Sequence, residues 1–254
     1  MPTHLSSEEH IKALLRAGDT LRGQAAAAGL DAKVPTCPRW RVRDLVVHQG
    51  MVHRWAAAQL RRDRDHRTSD SRAEAAAAPD LFEWFSAGLR ALVDTWQATP
   101  EDARALVFLH DAPPPRAFWA RRQAHETSIH SADALAARLG RWLTGADLEL
   151  DASFAADGID ELLCGFITRK RNQPDAGESY TVLVRTVDTG HAWTLRIGDG
   201  PIVTTLGATD APDAEITGTA VQLYLSLWNR SDDMTVTGRT EVIDLWRARI
   251  RIRW

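Results

Sequence analysis

Two side chains one helical turn apart form the most chemically suggestive pattern in the sequence. Glu126 and His130 are four residues apart, so on a helix their side chains project from the same face. A carboxylate oxygen and an imidazole nitrogen placed in this way can bind one divalent cation, although such a pair is more often a solvated surface pair. Arg122 and Asp133 extend the same stripe. His125 is offset by about 100° around the helix, and we interpret it as a surface group or a group that supports a ligand.

His48 is a candidate for the third ligand. The apolar residues Leu45 and Trp55 lie on the same side of its helix, so the imidazole points toward the core, where it needs a polar partner. A core histidine bonded to a backbone carbonyl is the more common arrangement. If a metal is the partner instead, His48, Glu126 and His130 supply three protein ligands, which is typical of catalytic zinc sites with one open coordination position. The same donors in octahedral geometry suit iron, nickel or manganese.

Other residues near these positions have supporting roles in our interpretation. Asp44 and Asp133 each lie within one turn of a candidate histidine ligand, so either can accept the second ring N–H. His53 lies five positions after His48 and projects elsewhere, so we exclude it from the ligand set. Cys37 lies in a proline-flanked turn, and we interpret it as structural packing.

The composition is that of an ordinary globular protein and argues against several function classes. The 254 residues are 44% hydrophobic and 26% charged, with a formal net charge of -3, so no basic excess indicates a nucleic-acid partner. No apolar run reaches the roughly 18 residues of a membrane span, and the polar first residues contain no signal core. We therefore expect a cytoplasmic protein. Cys37 and Cys164 are far apart, which predicts reduced thiols and leaves histidine, aspartate and glutamate as the main metal ligands.

The first half of the chain predicts a four-helix bundle. Apolar residues recur at helical spacing, with Ser6 or Ser7 as a cap and Gly29 and Gly140 as stops. The predicted helices are Ser6–Ala28, Val42–Arg62, Leu81–Gln97 and Arg116–Leu139. The charged run Arg61–Arg72 is predicted to be a solvated loop.

After Gly145 the pattern changes to that of a small α+β domain. Alternating residues rich in β-branched side chains predict strands at Tyr180–Val187, Ala192–Ile197, Ile202–Leu206 and Ala214–Thr217. Helices are predicted at Ser153–Lys170, Ala220–Trp228 and Thr240–Arg249. The predicted domains are therefore 1–146, a metal-binding helical bundle, and 147–254, the α+β domain. We interpret Trp193 as a core residue or as part of a lid over the metal site.

Several motifs resemble those of the mycothiol-dependent maleylpyruvate isomerase family. Val34–Trp40 together with Val42–His48 resembles its opening signature, and Trp119–His130 resembles its second signature. Three segments of the second half resemble its C-terminal domain: Trp193–Gly200, Thr217–Ala220 and Leu225–Arg230. The resemblance implies a DinB-like four-helix bundle followed by a domain similar to sterol carrier proteins.

The resemblance also implies a ligand set. Two histidines and a glutamate hold the metal in this family, and they map onto His48, Glu126 and His130. Arg41 departs from the family pattern, which usually has Thr or Ser at that position. We therefore expect the second helix to lose the capping box that pairs this position with Asp44.

The implied activity is that of a metal-dependent enzyme with mycothiol as its cosubstrate. Zinc is the expected metal, with nickel, iron or manganese as alternatives, and a bound metal would favour the thiolate form of the thiol. The thiolate would attack a small electrophilic substrate, either to isomerise a double bond or to transfer the thiol. Arg122, and secondarily Arg230, are the predicted anchors for an anionic substrate, in a protein expected to be a monomer or homodimer. The alternatives are a non-catalytic metal-binding or stress-response protein and a purely structural metal.

Overall fold

A computed structural model describes residues 5–109, 112–169 and 178–250 of the chain. These residues belong to two units. The helical unit is made of Leu5–Phe108 and Pro113–Trp142, and the α+β unit contains the described residues from Leu143 onward together with Leu109 and Ala112. In the part of the chain so described, no helix combines the length and the apolarity needed to cross a lipid bilayer.

The helical unit confirms the predicted bundle and adds one short helix. Its helices are α1 (Ser7–Ala28), α2 (Val42–Arg61), α3 (Thr68–Ala77), α4 (Leu81–Ala98) and α5 (Pro115–Leu139). Each end predicted for the four long helices lies within one residue of the observed end. Helix α1 packs along α5, and α2 packs against both α4 and α5.

Helix α3 shows that the prediction of a solvated loop at Arg61–Arg72 is wrong at its end. The helix starts at Thr68, inside the charged run. Its buried residues are Ser71 and Ala75, so it has no apolar stripe from which a periodicity argument could find it. Its alanine-rich second half has a high helix propensity, and Ala75 packs into a core cluster that includes Phe85 of α4.

Local contacts set the ends of α1 and α5. The Ser6 hydroxyl accepts a hydrogen bond from the Glu9 backbone N–H at 3.2 Å, and the Glu9 carboxylate accepts one from the Ser6 N–H at 2.7 Å. This reciprocal pair is a capping box, which satisfies two N–H groups that the helix leaves without partners. Helix α5 begins with Pro115 in its first turn and ends at Gly140, whose φ of 69° is the left-handed conformation that terminates many helices.

Half of the capping box at the start of α2 is present, so the expectation that α2 loses the whole box is wrong in part. The Arg41 side chain has no hydrogen-bond acceptor, so one half of the box is absent. Asp44 still accepts a hydrogen bond from the Arg41 backbone N–H at 2.9 Å. This half survives because it needs only a backbone donor at the cap position.

Helix α5 is buried along most of its length. Every residue from Phe118 to Ala137 is buried, including the stripe that contains Glu126 and His130. Glu126 and His130 are therefore not the solvated surface pair that this spacing more often gives. The surface alternative for His125 is wrong too, because its side chain is 0% exposed and its ring packs edge-on against that of His10.

The α+β unit contains a five-stranded sheet in the order β3-β2-β1-β4-β5. Its strands are β1 (Tyr180–Thr186), β2 (Ala192–Ile197), β3 (Val203–Leu206), β4 (Ala214–Gly218) and β5 (Thr235–Gly238). Strand β1 pairs parallel with β4, and the other neighbours pair antiparallel. Four strands match the predicted ones. The sequence did not predict β5, a short edge strand whose four residues include a single partly buried one, Val236.

Three α-helices lie in the described part of this unit. They are α6 (Ala152–Asp160), α7 (Ala220–Leu227) and α8 (Val242–Arg249). Helix α6 continues into a π-helical segment, Glu161–Phe166, which confirms a helix in this region, while Lys170 lies outside the described residues. Trp193 is 1% exposed and donates its indole N–H to Asp160 at 3.1 Å, as expected of a core residue in this unit.

Candidate metal centre

Helices α2 and α5 bring His48, Glu126 and His130 together inside the helical unit. One ligand atom from each residue lies within 4.8 Å of the others. Glu126 Oε1 is 3.6 Å from His48 Nε2 and 3.4 Å from His130 Nε2. Two ligands of a tetrahedral zinc ion, each about 2.05 Å from the metal, are separated by about 3.3 Å. Both carboxylate–imidazole distances are therefore close to the spacing that one cation requires.

Two of the candidate donor atoms at this cluster lack the hydrogen bonds that buried polar atoms normally make. His48 Nε2 and Glu126 Oε1 are both buried, and neither has a hydrogen-bond partner within the described ranges. An acceptor left in this state costs about 1–3 kcal/mol. A cation between them would satisfy both atoms, so the donor set fits a divalent metal.

Asp133 fixes the orientation of the His130 ring. His130 Nδ1 lies 2.8 Å from Asp133 Oδ2, and the Asp133 side chain is fully buried. A carboxylate can only accept, so Nδ1 carries a proton, and Nε2 is the ring nitrogen that would bind a metal at the cluster. Of the two acids that the sequence offered for this role, Asp133 fills it. Asp44 is exposed and bonds the N-terminus of α2 instead.

Arg122 holds the other oxygen of the Glu126 carboxylate. Its guanidinium donates to Glu126 Oε2 at 3.0 Å, and its side chain is 0% exposed. The two residues are one turn apart on α5, which makes this contact possible. With Oε2 bound to Arg122, Oε1 is the oxygen that faces the two imidazoles. Arg122 is therefore no surface arginine.

Burial and the neighbouring charges shift the pKa values of the three candidate ligands in different directions. Burial would raise the pKa of Glu126, but the neighbouring imidazoles and the charge of Arg122 outweigh it and hold this pKa well below its usual value. Burial lowers the pKa of His48 against the opposing effect of the Glu126 carboxylate, and the charges of His130 and, to the smallest extent, Arg72 add to the lowering. Burial also acts to lower the pKa of His130, yet the carboxylates of Asp133 and Glu126 raise it to about 8.

Comparisons with known proteins bear on this arrangement. A sequence model of the mycothiol maleylpyruvate isomerase N-terminal domain matches residues 11–135, and a model of the C-terminal domain of the same family matches residues 153–245. The chain belongs to the mycothiol-dependent maleylpyruvate isomerase family. A search of curated proteins found no match.

Solved structures agree with the fold of this family member. A crystal structure of a mutant of the mycothiol-dependent maleylpyruvate isomerase matches with a TM-score of 0.60 and 16% identity, over 93% of this chain and 96% of that one. A second crystal structure of that isomerase matches with a TM-score of 0.59 and 15% identity over the same shares. At this level of identity, the likeness shows a common fold.

Trp40 lies beside the candidate metal centre, and sequence reasoning missed it. Its half-buried ring lies 4.8 Å from the ring of His48 and 5.7 Å from that of His130, measured between centroids. The two imidazoles are themselves 5.0 Å apart and nearly perpendicular. Trp40 ends the first family motif, which was the available signal. The residue therefore packs on both imidazoles.

A buried hydrogen-bond network of Gln49, His53 and Thr127 joins α2 to α5 next to the candidate ligands. Gln49, next to His48, donates its amide N–H to Thr127 Oγ1 at 2.9 Å. His53 Nε2 lies 2.9 Å from the same hydroxyl. His53 is thus outside the ligand cluster, as its spacing predicted, but it belongs to a network that joins α2 to α5.

Arg230, the second predicted anchor, lies in the α+β unit. Its guanidinium donates to the Trp228 carbonyl at 2.6 Å, and the residue is partly buried. Its backbone N–H donates to the Leu225 carbonyl at the end of α7. These contacts define its surroundings within that unit, and its role as a substrate anchor stays a prediction.

Proposed function

We propose that this chain is a metal-dependent enzyme that uses a low-molecular-weight thiol to act on a small electrophilic substrate. The observation that carries the proposal is the buried pair His48 Nε2 and Glu126 Oε1, which face each other beside His130 without hydrogen-bond partners. Membership of the mycothiol-dependent maleylpyruvate isomerase family supports mycothiol as the thiol and isomerisation as the reaction.

In this proposal His48, Glu126 and His130 hold the metal. Three nitrogen and oxygen donors favour zinc with one position open, although nickel, iron or manganese can use the same donors. When bound, the metal supplies a positive charge that favours the thiolate form of the cosubstrate. Isomerisation then needs addition of the thiolate to a carbon–carbon double bond, rotation about the resulting single bond and loss of the same thiolate. Thiol transfer ends after the carbon–sulfur bond has formed.

The two predicted arginines have different roles in the proposed reaction. Arg122 acts through Glu126, because its guanidinium is buried against the carboxylate. Arg230 remains the proposed anchor for an anionic substrate. Arg72 is a further candidate, since it is exposed on α3 and its charge acts on His48. Residues 1–146 are the proposed metal-binding domain, and residues 147–254 form the proposed α+β domain.

Metal analysis followed by thiol titration tests the proposal. We expect purified protein to contain a divalent metal and the His48→Ala variant to lose it, since one of three ligands is gone. The control His66→Ala removes a partly buried histidine from the connection between α2 and α3 and should retain the metal. Calorimetric titration with mycothiol should give binding to the metal-loaded protein and none to the chelated protein. Equal binding to both forms would refute the proposal.

Turnover and unfolding measurements on the same metal-loaded and chelated proteins separate the alternatives. A non-catalytic metal-binding protein would retain the metal but would neither isomerise maleylpyruvate nor consume thiol with a generic electrophile. A purely structural metal would bind no thiol, and chelation would unfold the helical unit. Turnover that stops on chelation while the helices stay folded distinguishes the proposed enzyme from both.

A further inference from the structure

The buried carboxylate of Asp133 connects His130 to a turn that is distant in sequence. Its Oδ2 lies 2.8 Å from His130 Nδ1, and its Oδ1 accepts a hydrogen bond from the Thr36 hydroxyl at 2.5 Å. The Cys37 thiol lies 3.7 Å from Oδ2. Thr36 and Cys37 belong to the segment Val34–Trp40, which precedes α2.

This segment is held by its own backbone hydrogen bonds. The Cys37 N–H donates to the Val34 carbonyl at 3.0 Å, and the Trp40 N–H donates to the Cys37 carbonyl at 2.8 Å. The Val34 N–H closes the segment by donating to the Trp40 carbonyl at 3.1 Å. The side chain of Thr36 is therefore presented from a well-defined turn.

The turn reaches the candidate metal centre by two routes. Trp40 packs directly on the rings of His48 and His130. Thr36 acts through Asp133, because its hydroxyl donates to one carboxylate oxygen while the other oxygen holds His130. A carboxylate seated by several donors keeps its position and remains an acceptor toward the imidazole. His130 Nε2 is thereby directed at Glu126 and His48.

We propose that Thr36 is a positioning residue of the metal centre: its hydroxyl seats Asp133 so that His130 presents Nε2 to the metal. The inference rests on the proposed metal site. It assigns the turn Val34–Trp40 a role in metal affinity in addition to its role in packing. Loss of a group that orients a metal ligand lowers metal affinity by about 10- to 100-fold, and Thr36 acts one contact further away, so we expect about tenfold.

Paired variants of Thr36 in the full chain test the inference. Thr36→Val keeps the shape of the side chain but removes the hydroxyl, and Thr36→Ser keeps the hydroxyl but removes the methyl group. Zinc affinity is measured by competition with a chromophoric chelator, and urea unfolding of the chelated proteins reports stability separately. We expect weaker zinc binding for the valine variant and affinity close to wild type for the serine variant. A purely structural role would lower the stability of the chelated valine variant and leave its zinc affinity unchanged, which would overturn the inference.

A measurement on the wild-type protein covers the case in which the valine variant does not fold. Nitrogen-15 NMR of the histidine rings in the zinc-loaded protein should show His130 with its proton on Nδ1 and with Nε2 bound to the metal. The opposite assignment would overturn the inference, since Asp133 would then not orient the ligand. Wild-type protein that binds no zinc would refute the proposed metal site as well. Wild-type binding with an unaffected valine variant would refute only the role of Thr36.

Discussion

His53 offers a sharp test of the electrostatics inside the helical unit. Its side chain is completely buried between α2, α4 and α5, with Nε2 at 2.9 Å from Thr127 Oγ1 and its ring 5.4 Å from that of Phe85. Burial, assisted by the positive charge of Arg54, lowers the pKa of His53 from 6.5 to about 3. His53 is therefore neutral in the folded protein throughout the mildly acidic range.

The difference in proton binding makes stability depend on pH with a definite sign. Between a pH of about 3 and 6.5 the unfolded chain protonates His53 and the folded protein does not, so stability falls as the pH falls through this range. The difference between these two pKa values corresponds to at most about 5 kcal/mol of stability. Integration from pH 7 to pH 5 with the same two pKa values gives a loss of about 2 kcal/mol from this residue.

Urea unfolding of His53→Gln at pH 7 and pH 5 measures this contribution. Glutamine does not titrate, and its amide can still bond Thr127. Chelated protein is used, because metal binding has a pH dependence of its own. The stability lost by the wild type between the two pH values should exceed that lost by the variant by about 2 kcal/mol. His66→Gln, in the connection between α2 and α3, is the control and should follow the wild type. Equal losses in the wild type and His53→Gln would refute the reasoning.

Three further predictions concern stability. Arg122→Met removes the guanidinium that holds buried Glu126 and should destabilise the chelated protein by about 3–5 kcal/mol in urea unfolding. This loss of stability should be smaller when zinc is added, and an equal loss with and without zinc would contradict a cation beside Glu126. Arg41→Ser supplies the missing cap oxygen of α2 and should raise stability by about 0.5–1 kcal/mol in thermal unfolding, whereas a lower melting temperature would count against this account. Trp193→Phe deletes the N–H that donates to buried Asp160 and should cost about 1–2 kcal/mol, measured on the unfolding transition of the α+β unit, and a neutral effect would be contrary to expectation.

Local sequence determined most elements of the helical unit. The four long helices follow from apolar spacing, from the cap at Ser6 and from the stop at Gly140, all of which act within one or two turns of the chain. Helix α3 and strand β5 were not predicted, because each buries few side chains and its sequence therefore shows little hydrophobic periodicity. The long helices were thus predictable from the sequence, because their spacing, caps and stops depend on residues close together in the chain.

The pairing of Glu126 with His130 was also local, since spacing on one helix puts them on one face. The sequence could not tell whether that face was wet or dry. A polar helix face is expected to be exposed to solvent unless other groups bond its side chains in the interior, and such groups can come from distant parts of the chain. The Glu126 carboxylate has one partner on its own helix, Arg122, and another on α2, His48. Only the packing of α2 against α5 brings His48 to it.

Only the tertiary structure shows which carboxylate accepts the hydrogen bond of His130 Nδ1. Sequence spacing offered Asp44 and Asp133 on equal terms, because each lies within one turn of a histidine. Folding directs Asp133 into the unit, where it meets Thr36 from 97 positions away in the chain. Asp44 lies at an exposed helix start, where the nearest donor is a backbone N–H. Local spacing fixes the face of a helix on which a side chain lies, and only packing between distant segments decides what meets it there.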